Sequence, residues 1–289
     1  MSNYNQEIEL GQRFSFGENW KAFAQTLDHE RVESAKAALI EMLDVSCLAG
    51  KRFLDVGSGS GLSSLAARLL GASVQSFDYD VSSVECTKWV REKYRPNDMD
   101  WIVTQGSILD TEFLKSIGKF DVVYSWGVLH HTGSLWESMG NTLELVAEGG
   151  SLFIAIYNDQ RGKSKAWRKI KQFYCSGSIG RGLVCSVFIP YFAFRFVLWG
   201  AIKRRNYFRE HKKIRGMSIF HDWLDWLGGY PFEVASVEDV FSFCTKHGFV
   251  LRKIKTTNGA HGNNEFVFEK LTASKTDCSR FGISSAFVE

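Results

Sequence analysis

The segment from Phe53 to Gly61, FLDVGSGSG, constrains the fold of this chain more than any other feature. A short apolar run enters three glycines spaced two residues apart, and a helix-like pattern begins immediately afterwards. Glycines are needed where the backbone turns sharply and where a ligand approaches so closely that a Cβ would collide with it. The segment therefore predicts a strand–turn–helix unit with a ligand site at the turn.

Strand-like and helix-like segments alternate around this turn. The candidate strands are 51–56, 73–78, 100–105, 120–126 and 150–157, and the candidate helices are 28–46, 61–70, 82–94, 110–117 and 134–146. Several strands are continuous apolar runs, as expected where helices cover both faces of a parallel sheet. Two later strands, 249–256 and 264–269, are joined by a turn and predict a closing antiparallel hairpin. This alternation predicts a doubly wound α/β sheet.

The same pattern divides the chain into a core with an insertion. The predicted parts are a helical or lid-forming segment at 1–50, an α/β core at 51–158 and 235–270, an inserted lobe at 159–234, and a tail at 271–289. Between residues 161 and 215 there are fifteen Lys/Arg and one acid, a net charge of +14, although the whole chain carries only +3. Such segregation indicates either a face for an anionic partner or a solvated basic surface.

The cysteines and the amino terminus bear on location. The six cysteines are scattered without metal-ligand spacing, which favours buried thiols in a reducing compartment, and no metal site is predicted. The first ten residues, MSNYNQEIEL, lack the basic and apolar regions of a signal peptide. We expect a cytoplasmic protein, or one peripheral to the inner face of the membrane.

The spacing of the glycines discriminates between cofactors. Dinucleotide enzymes seat a pyrophosphate on GxGxxG, whereas this turn has GxGxG. The next strand ends at Asp78, where a carboxylate can accept hydrogen bonds from both hydroxyls of a ribose. Asp55 can orient the turn or the ammonium group of the cofactor. The alternative is a buried acid that accepts hydrogen bonds from backbone amides. A nucleoside without a pyrophosphate is the predicted ligand.

Together these features resemble the class I S-adenosylmethionine-dependent methyltransferases, over residues 51–157 and 236–269. The resemblance implies a Rossmann-like class I methyltransferase fold, with a mostly parallel seven-stranded sheet, a terminal antiparallel hairpin and a largely helical insertion. It also implies S-adenosylmethionine as cofactor and S-adenosylhomocysteine as product. The implied contacts are Gly57, Ser58, Gly59 and Gly61 in the turn, Asp78 at the ribose, Tyr79, Ser107 and Ile108 at the adenine, and Trp126 near the sulfonium.

An aromatic-rich segment, FSFGENW, precedes the first strand. In similar enzymes an amino-terminal segment closes over the cofactor, and the aromatic rings of Phe16 and Trp20 suit a sulfonium cation. The alternative is that both rings anchor the first helix to the core.

Two adjacent histidines follow the fourth strand, at the edge of the sheet where ligands bind. An alcohol acceptor must lose a proton during methyl transfer, and histidine suits that role near neutral pH. We predict a general base at His131 or, second, at His130. The alternative is that both histidines cap or hydrogen-bond the following helix.

Polar and aromatic residues further along the chain are candidates for the acceptor site. They are Tyr157, Asn158, His221, Asp222, Tyr230 and Glu233. The alternative is that Tyr157 and Asn158 cap a strand and that 217–233 is a structural corner. SWGVLHHTG, IAIYND and GGYPFE also resemble a bacterial subgroup associated with polysaccharide or natural-product biosynthesis. That resemblance implies a sugar, nucleotide-sugar, lipid-linked glycan or secondary metabolite as acceptor. Because the lobe is basic, the acceptor can be anionic.

Two other functions compete with this one. An RNA methyltransferase would use the basic lobe as its electrostatic footprint, and a catalytically silent protein would bind only the cofactor. No DNA partner is expected.

The apolar run 183–202 is long enough to cross a bilayer, but Arg195 and Pro190 lie within it and a single span would split the sheet. Segment 183–205 is expected to contact a membrane peripherally, to line the substrate pocket, or to form a homodimer.

Overall fold

Seven strands form one sheet in the computed structural model, which describes residues 3–203 and 219–272. The strands are β1 (Arg52–Val56), β2 (Ser73–Asp78), β3 (Trp101–Gln105), β4 (Phe120–Trp126), β5 (Val146–Tyr157), β6 (Phe249–Lys255) and β7 (Asn263–Lys270). Their order is β3-β2-β1-β4-β5-β7-β6, with β7 antiparallel to both of its neighbours and the other pairs parallel. This confirms the predicted Rossmann-like sheet with its terminal hairpin.

Helices of the core cover both faces of this sheet, and further helices form the amino-terminal segment and the inserted lobe. They are α1 (Asn3–Glu9), α2 (Gly17–Gln25), α3 (His29–Leu43), α4 (Leu62–Leu69), α5 (Val81–Tyr94), α6 (Thr111–Ile117), α7 (Leu135–Glu144), α8 (Gly162–Cys175), α9 (Ser178–Lys203), α10 (Ile219–Gly228) and α11 (Val237–Lys246), with a 3₁₀ turn at Leu129–His131. Adjacent residues of β1 point to opposite faces, so Phe53 joins one buried cluster and Leu54 joins the other. Burial on both sides explains the continuous apolar runs in the sequence.

The sheet positions a ligand crevice. Strand order reverses between β1 and β4, because β2 and β3 lie on one side of β1 whereas β5 lies beyond β4. In open α/β sheets ligands bind at the carboxyl ends of the strands at such a switch point. The turns after Val56 and Trp126 therefore flank the expected site.

The start of β5 differs from the prediction. The predicted helix 134–146 ends at Glu144, and β5 begins at Val146 rather than at residue 150. The register with β4 shifts between the pairs Phe120–Val146 and Val122–Ser151. A Cβ on Gly150 would lie 2.9 Å from the Asp121 carbonyl oxygen, so the irregularity requires a small residue there. Apolar residues continue across this irregularity in the sequence, so the apolar pattern did not show where the helix ends.

The inserted lobe is helical over its described part. α8, α9 and α10 pack around the buried side chains of Tyr174, Val184 and Leu227. Lys171 of α8 is also fully buried, and its Nζ donates to the Trp226 carbonyl oxygen and lies 3.9 Å from the centre of the Trp226 ring. Burial lowers the pKa of this lysine to about 7.

Lys171 predicts a dependence of stability on pH. Between its folded pKa near 7 and the ordinary lysine value, the unfolded chain holds a proton that the folded chain has released. The free energy of unfolding should therefore rise with pH in this window, by up to about 1.4 kcal/mol per unit. The free energy of unfolding, measured with urea at several pH values above neutral, should rise less steeply with pH in Lys171→Met. In the control Lys169→Met, which changes an exposed lysine, it should rise as in the unmodified protein. Parallel slopes in all three proteins would contradict a lowered pKa.

Candidate active site

A cavity of about 1720 Å³ lies at the carboxyl ends of the parallel strands and continues to the lobe. Its wall includes the turn after β1 at one end and α9 and α10 at the other. Pockets for single small ligands are typically about 300–1,000 Å³, so this one has room for two molecules side by side.

The glycine turn forms one wall of the cavity. Gly57 has φ +78°, and a Cβ there would lie 2.4 Å from a methyl carbon of Val128. Its N–H donates to the Phe77 carbonyl oxygen at 2.8 Å, which fixes the turn against β2. Ser58 and Gly59 also line the cavity, whereas Gly61 does not and instead begins α4 against Thr87. Gly61 is therefore needed for packing behind the turn.

Two carboxylates, the buried Asp55 and the half-buried Asp78, lie beside the turn. The Ser64 hydroxyl donates to Asp55 Oδ2 at 2.5 Å, and the Gly59 N–H donates to Asp78 Oδ2 at 2.9 Å. Burial raises the pKa of Asp55 to about 7 and that of Asp78 to about 6. Both residues line the cavity, where Asp78 bonds to the turn itself and Asp55 bonds to α4 behind the turn.

The amino-terminal segment lies against this turn. The Trp20 ring is so close to Gly59 that a Cβ there would be 3.2 Å from it, and the ring centres of Phe16 and His131 are 5.1 Å apart. Gly17 N–H donates to Asp80 Oδ2 at 2.8 Å. Phe16 and Trp20 both line the cavity, as the predicted closing segment requires.

Asp80 and Arg13 were missed by sequence reasoning. Asp80 caps α5 through the Ser82 N–H at 2.8 Å and holds the segment through Gly17. Arg13 donates to the His131 carbonyl oxygen at 2.8 Å and lies over the Tyr79 ring at 5.2 Å. Asp80 before a helix has the sequence pattern of an N-cap and could have been found, whereas no local pattern marks Arg13.

The remaining predicted cofactor residues lie on the same wall. Tyr79, Ser107, Ile108 and Trp126 all line the cavity. The Ser107 hydroxyl accepts the Leu109 N–H at 3.1 Å, which leaves its proton available to a ligand. The structure thus brings the predicted cofactor residues together, with Gly61 just behind them.

The two histidines have different environments. His131 lines the cavity, and its Nδ1 lies 2.6 Å from the Pro231 carbonyl oxygen. Because a carbonyl oxygen only accepts, Nδ1 carries the proton and Nε2 is left as an acceptor. Burial lowers the pKa of His131 to about 3, so the ring is neutral at physiological pH.

His130 is fully buried and does not line the cavity, contrary to what a second candidate base requires. Its Nδ1 accepts the Tyr157 N–H at 3.3 Å, and its ring lies 3.9 Å from the Tyr157 ring, centre to centre. Burial lowers its pKa well below the usual value. His130 therefore positions Tyr157, whose side chain does line the cavity.

Three predicted acceptor residues lie elsewhere. Asn158 donates to the Ala260 carbonyl oxygen at 3.1 Å and so braces the hairpin turn. The Glu233 N–H donates to the His130 carbonyl oxygen, and the Tyr230 carbonyl oxygen accepts from Phe14. None of the three lines the cavity, because this corner instead positions the histidine pair. His221 and Asp222 lie in α10, but their side chains are outside the described part of the structure.

The lobe end of the cavity is aromatic and charged. Its wall includes Trp167, Trp226, Lys163, Arg195, Asp225, Glu265 and His261. The ring of His261 lies 4.1 Å from that of Trp226, and its Nδ1 is 3.3 Å from Gln160 Oε1. His261 was missed as a site residue because the sequence marks it only as part of a turn.

Comparison with known proteins agrees with this geometry. A family model described as a methyltransferase domain matches residues 27–192, more than half of the chain. The chain belongs to the methyltransferase-domain family. The strand order of this methyltransferase domain is that of class I, whose cofactor is S-adenosylmethionine.

Relatives and solved structures resemble parts or all of the domain. A ubiquinone biosynthesis O-methyltransferase of Brucella melitensis is 35% identical over 112 residues, which cover 38% of this chain and 43% of the relative. The chain thus matches less than half the length of that relative. An O-methyltransferase family protein from Burkholderia thailandensis has a TM-score of 0.51 at 12% identity, covering 84% of this chain and 57% of the other. A candidate S-adenosyl-L-methionine-dependent methyltransferase from Methanococcus maripaludis also gives 0.51 at 13% identity, covering 90% and 96%. The two structures support the fold alone.

Proposed function

We propose that this protein transfers the methyl group of S-adenosylmethionine to an oxygen or nitrogen atom of a small molecule. The observation that carries the proposal is one cavity that joins the glycine turn to the aromatic and charged wall of the lobe. The O-methyltransferase relative favours oxygen as the accepting atom.

The residues of the turn fit this cofactor. Gly57 and Gly59 line the cavity and have positive φ angles, and a Cβ on either would meet Val128 or Trp20, so only glycine allows the tight turn that the methionine part would contact. Asp78 has a carboxylate at the wall for the ribose hydroxyls, and Ser107 and Ile108 border the place of the adenine. When bound, the cofactor supplies an electrophilic methyl group on a sulfonium.

His131 is the proposed proton acceptor for a hydroxyl substrate. Its Nδ1 is held by Pro231, so Nε2 is the nitrogen that can accept the substrate's proton as the new carbon–oxygen bond forms. A pKa near 3 makes the free ring a weak base, so its first effect is to orient the hydroxyl. Excluding water and aligning the two reactants supply much of the remaining acceleration.

The acceptor is proposed to be a sugar, nucleotide-sugar, lipid-linked glycan or secondary metabolite. Trp167 and Trp226 offer flat apolar faces, and Lys163 and Arg195 offer positive charge for an anionic group. The SWGVLHHTG, IAIYND and GGYPFE segments support polysaccharide or natural-product biosynthesis by their resemblance. We place the reaction in the cytoplasm or at the inner face of the membrane.

The experiment uses methyl-labelled S-adenosylmethionine with a lysate of the source organism, separated into polar metabolites, lipids and RNA. With the cofactor held below its Kd, we expect label among the metabolites or lipids, and about 10–150-fold less label with an Asp78→Ala variant as control. Label in RNA would replace this proposal with the RNA methyltransferase. Absence of both labelling and cofactor binding would overturn the proposed methyl transfer.

A further inference from the structure

The outer face of α9 is apolar and is uncovered in the part of the chain that the structure describes. This face consists of Ile179, Leu183, Val187, Phe194, Val197 and Leu198, which are 44–78% exposed. Positions 179, 183, 187, 194 and 198 are four or seven residues apart, and 197 follows 194 by three, which places all six along one side of the helix. Large contiguous apolar patches on a protein surface mark contact with another protein or a membrane.

The opposite face of α9 is apolar too and is already packed. Val184 joins the buried cluster of the lobe, and Phe192 lies 5.7 Å from the Trp223 ring, centre to centre. Residues 178–200 are long and apolar enough to cross a bilayer. However, one face of this helix packs against the rest of the lobe rather than facing outward. An arrangement parallel to the membrane, with only the outer face in lipid, satisfies both observations.

The segment that forms α8 and α9 carries a net positive charge. Residues 161–203 contain nine Lys/Arg and no acid, and of these basic residues only Lys171 is buried. Such a surface attracts anionic headgroups, with each basic residue near the membrane contributing to binding. A second copy of the same face would bring like charges together, which disfavours a dimer through α9.

We propose that α9 lies in the interface of an anionic membrane, with its outer face toward the acyl chains. The same helix contributes Tyr191, Phe192 and Arg195 to the cavity wall, so docking brings the acceptor end of the cavity to the lipid surface. The acceptor class that follows is an amphiphile held in the membrane, a conclusion that rests on the proposed function.

The test is sedimentation with vesicles of phosphatidylcholine alone and of an equimolar mixture with phosphatidylglycerol. We expect binding to the anionic vesicles that weakens as salt is raised. The double variant Val187→Glu/Phe194→Glu should bind at least about tenfold more weakly, because both side chains leave the lipid. The matched control Met99→Glu/Ile102→Glu changes two exposed apolar residues on the surface of the α/β domain and should bind like the unmodified protein.

Three results would overturn the proposal. The first is equal vesicle binding by the two double variants. The second is retention on vesicles after an alkaline carbonate wash, which indicates a spanning helix. The third is a dimer that does not bind vesicles and that dissociates in the α9 double variant. Binding of S-adenosylhomocysteine is measured on the same samples. Protein that binds this nucleoside but not vesicles would contradict only the docking, and the reverse would contradict only the proposed function.

Discussion

His131→Ala is expected to reduce methyl transfer to a hydroxyl acceptor by about 10²-fold, the lower end for a positioned proton acceptor because this ring is a weak base, and to leave cofactor affinity unchanged. The reason is geometric, since Pro231 fixes the ring with Nε2 as the acceptor, and the variant removes that nitrogen. Single-turnover rates and calorimetric titration of S-adenosylhomocysteine measure the two quantities separately.

His247→Ala is the matched control, because this exposed histidine bonds to the helix that it ends and does not line the cavity. His261→Ala tests the other histidine of the cavity wall. Full turnover in His131→Ala together with a large loss in His261→Ala would move the proton acceptor to the lobe end.

Asp78→Ala is expected to weaken cofactor binding by roughly 1.5–3 kcal/mol, about 10–150-fold in Kd. The variant loses the proposed bonds to the ribose and also leaves the Gly59 N–H without its acceptor. Asp78→Asn keeps one oxygen and should fall between the two proteins. Titration of S-adenosylhomocysteine gives all three affinities.

Asp121→Ala is the control for Asp78, since Asp121 also accepts a backbone N–H, from Arg52, but at the opposite edge of the sheet. Its cofactor affinity should match that of the unmodified protein. Unchanged affinity in a folded Asp78→Ala variant would contradict the placement of the ribose.

Local sequence patterns predicted most of the fold and most of the residues on the cofactor side of the cavity. The glycine turn and the strand that ends at Asp78 are short, contiguous segments whose chemistry determines their backbone, so the sequence alone predicts them. The start of β5 escaped prediction because its irregularity depends on pairing with β4, which lies earlier in the chain. His130 and His131 are adjacent in sequence, yet only the fold distinguishes a buried ring from one at the cavity.

The missed residues act across long separations. Arg13 contacts the His131 carbonyl oxygen 118 positions away, and Gly17 reaches Asp80 across 63. His261 meets Gln160 across 101 positions. No periodicity links such pairs, because they come together only when the amino-terminal segment and the hairpin fold over the sheet edge.

The placement of S-adenosylmethionine on the glycine turn is the central claim, and a crystal structure with S-adenosylhomocysteine tests it most directly. We predict the ribose hydroxyls on Asp78, the adenine beside Ser107 and Ile108, and the methionine part on Gly57 and Gly59. The sulfur should face the part of the cavity bounded by His131. A nucleoside bound away from this turn, or a cavity still empty at saturating concentration, would contradict the claim.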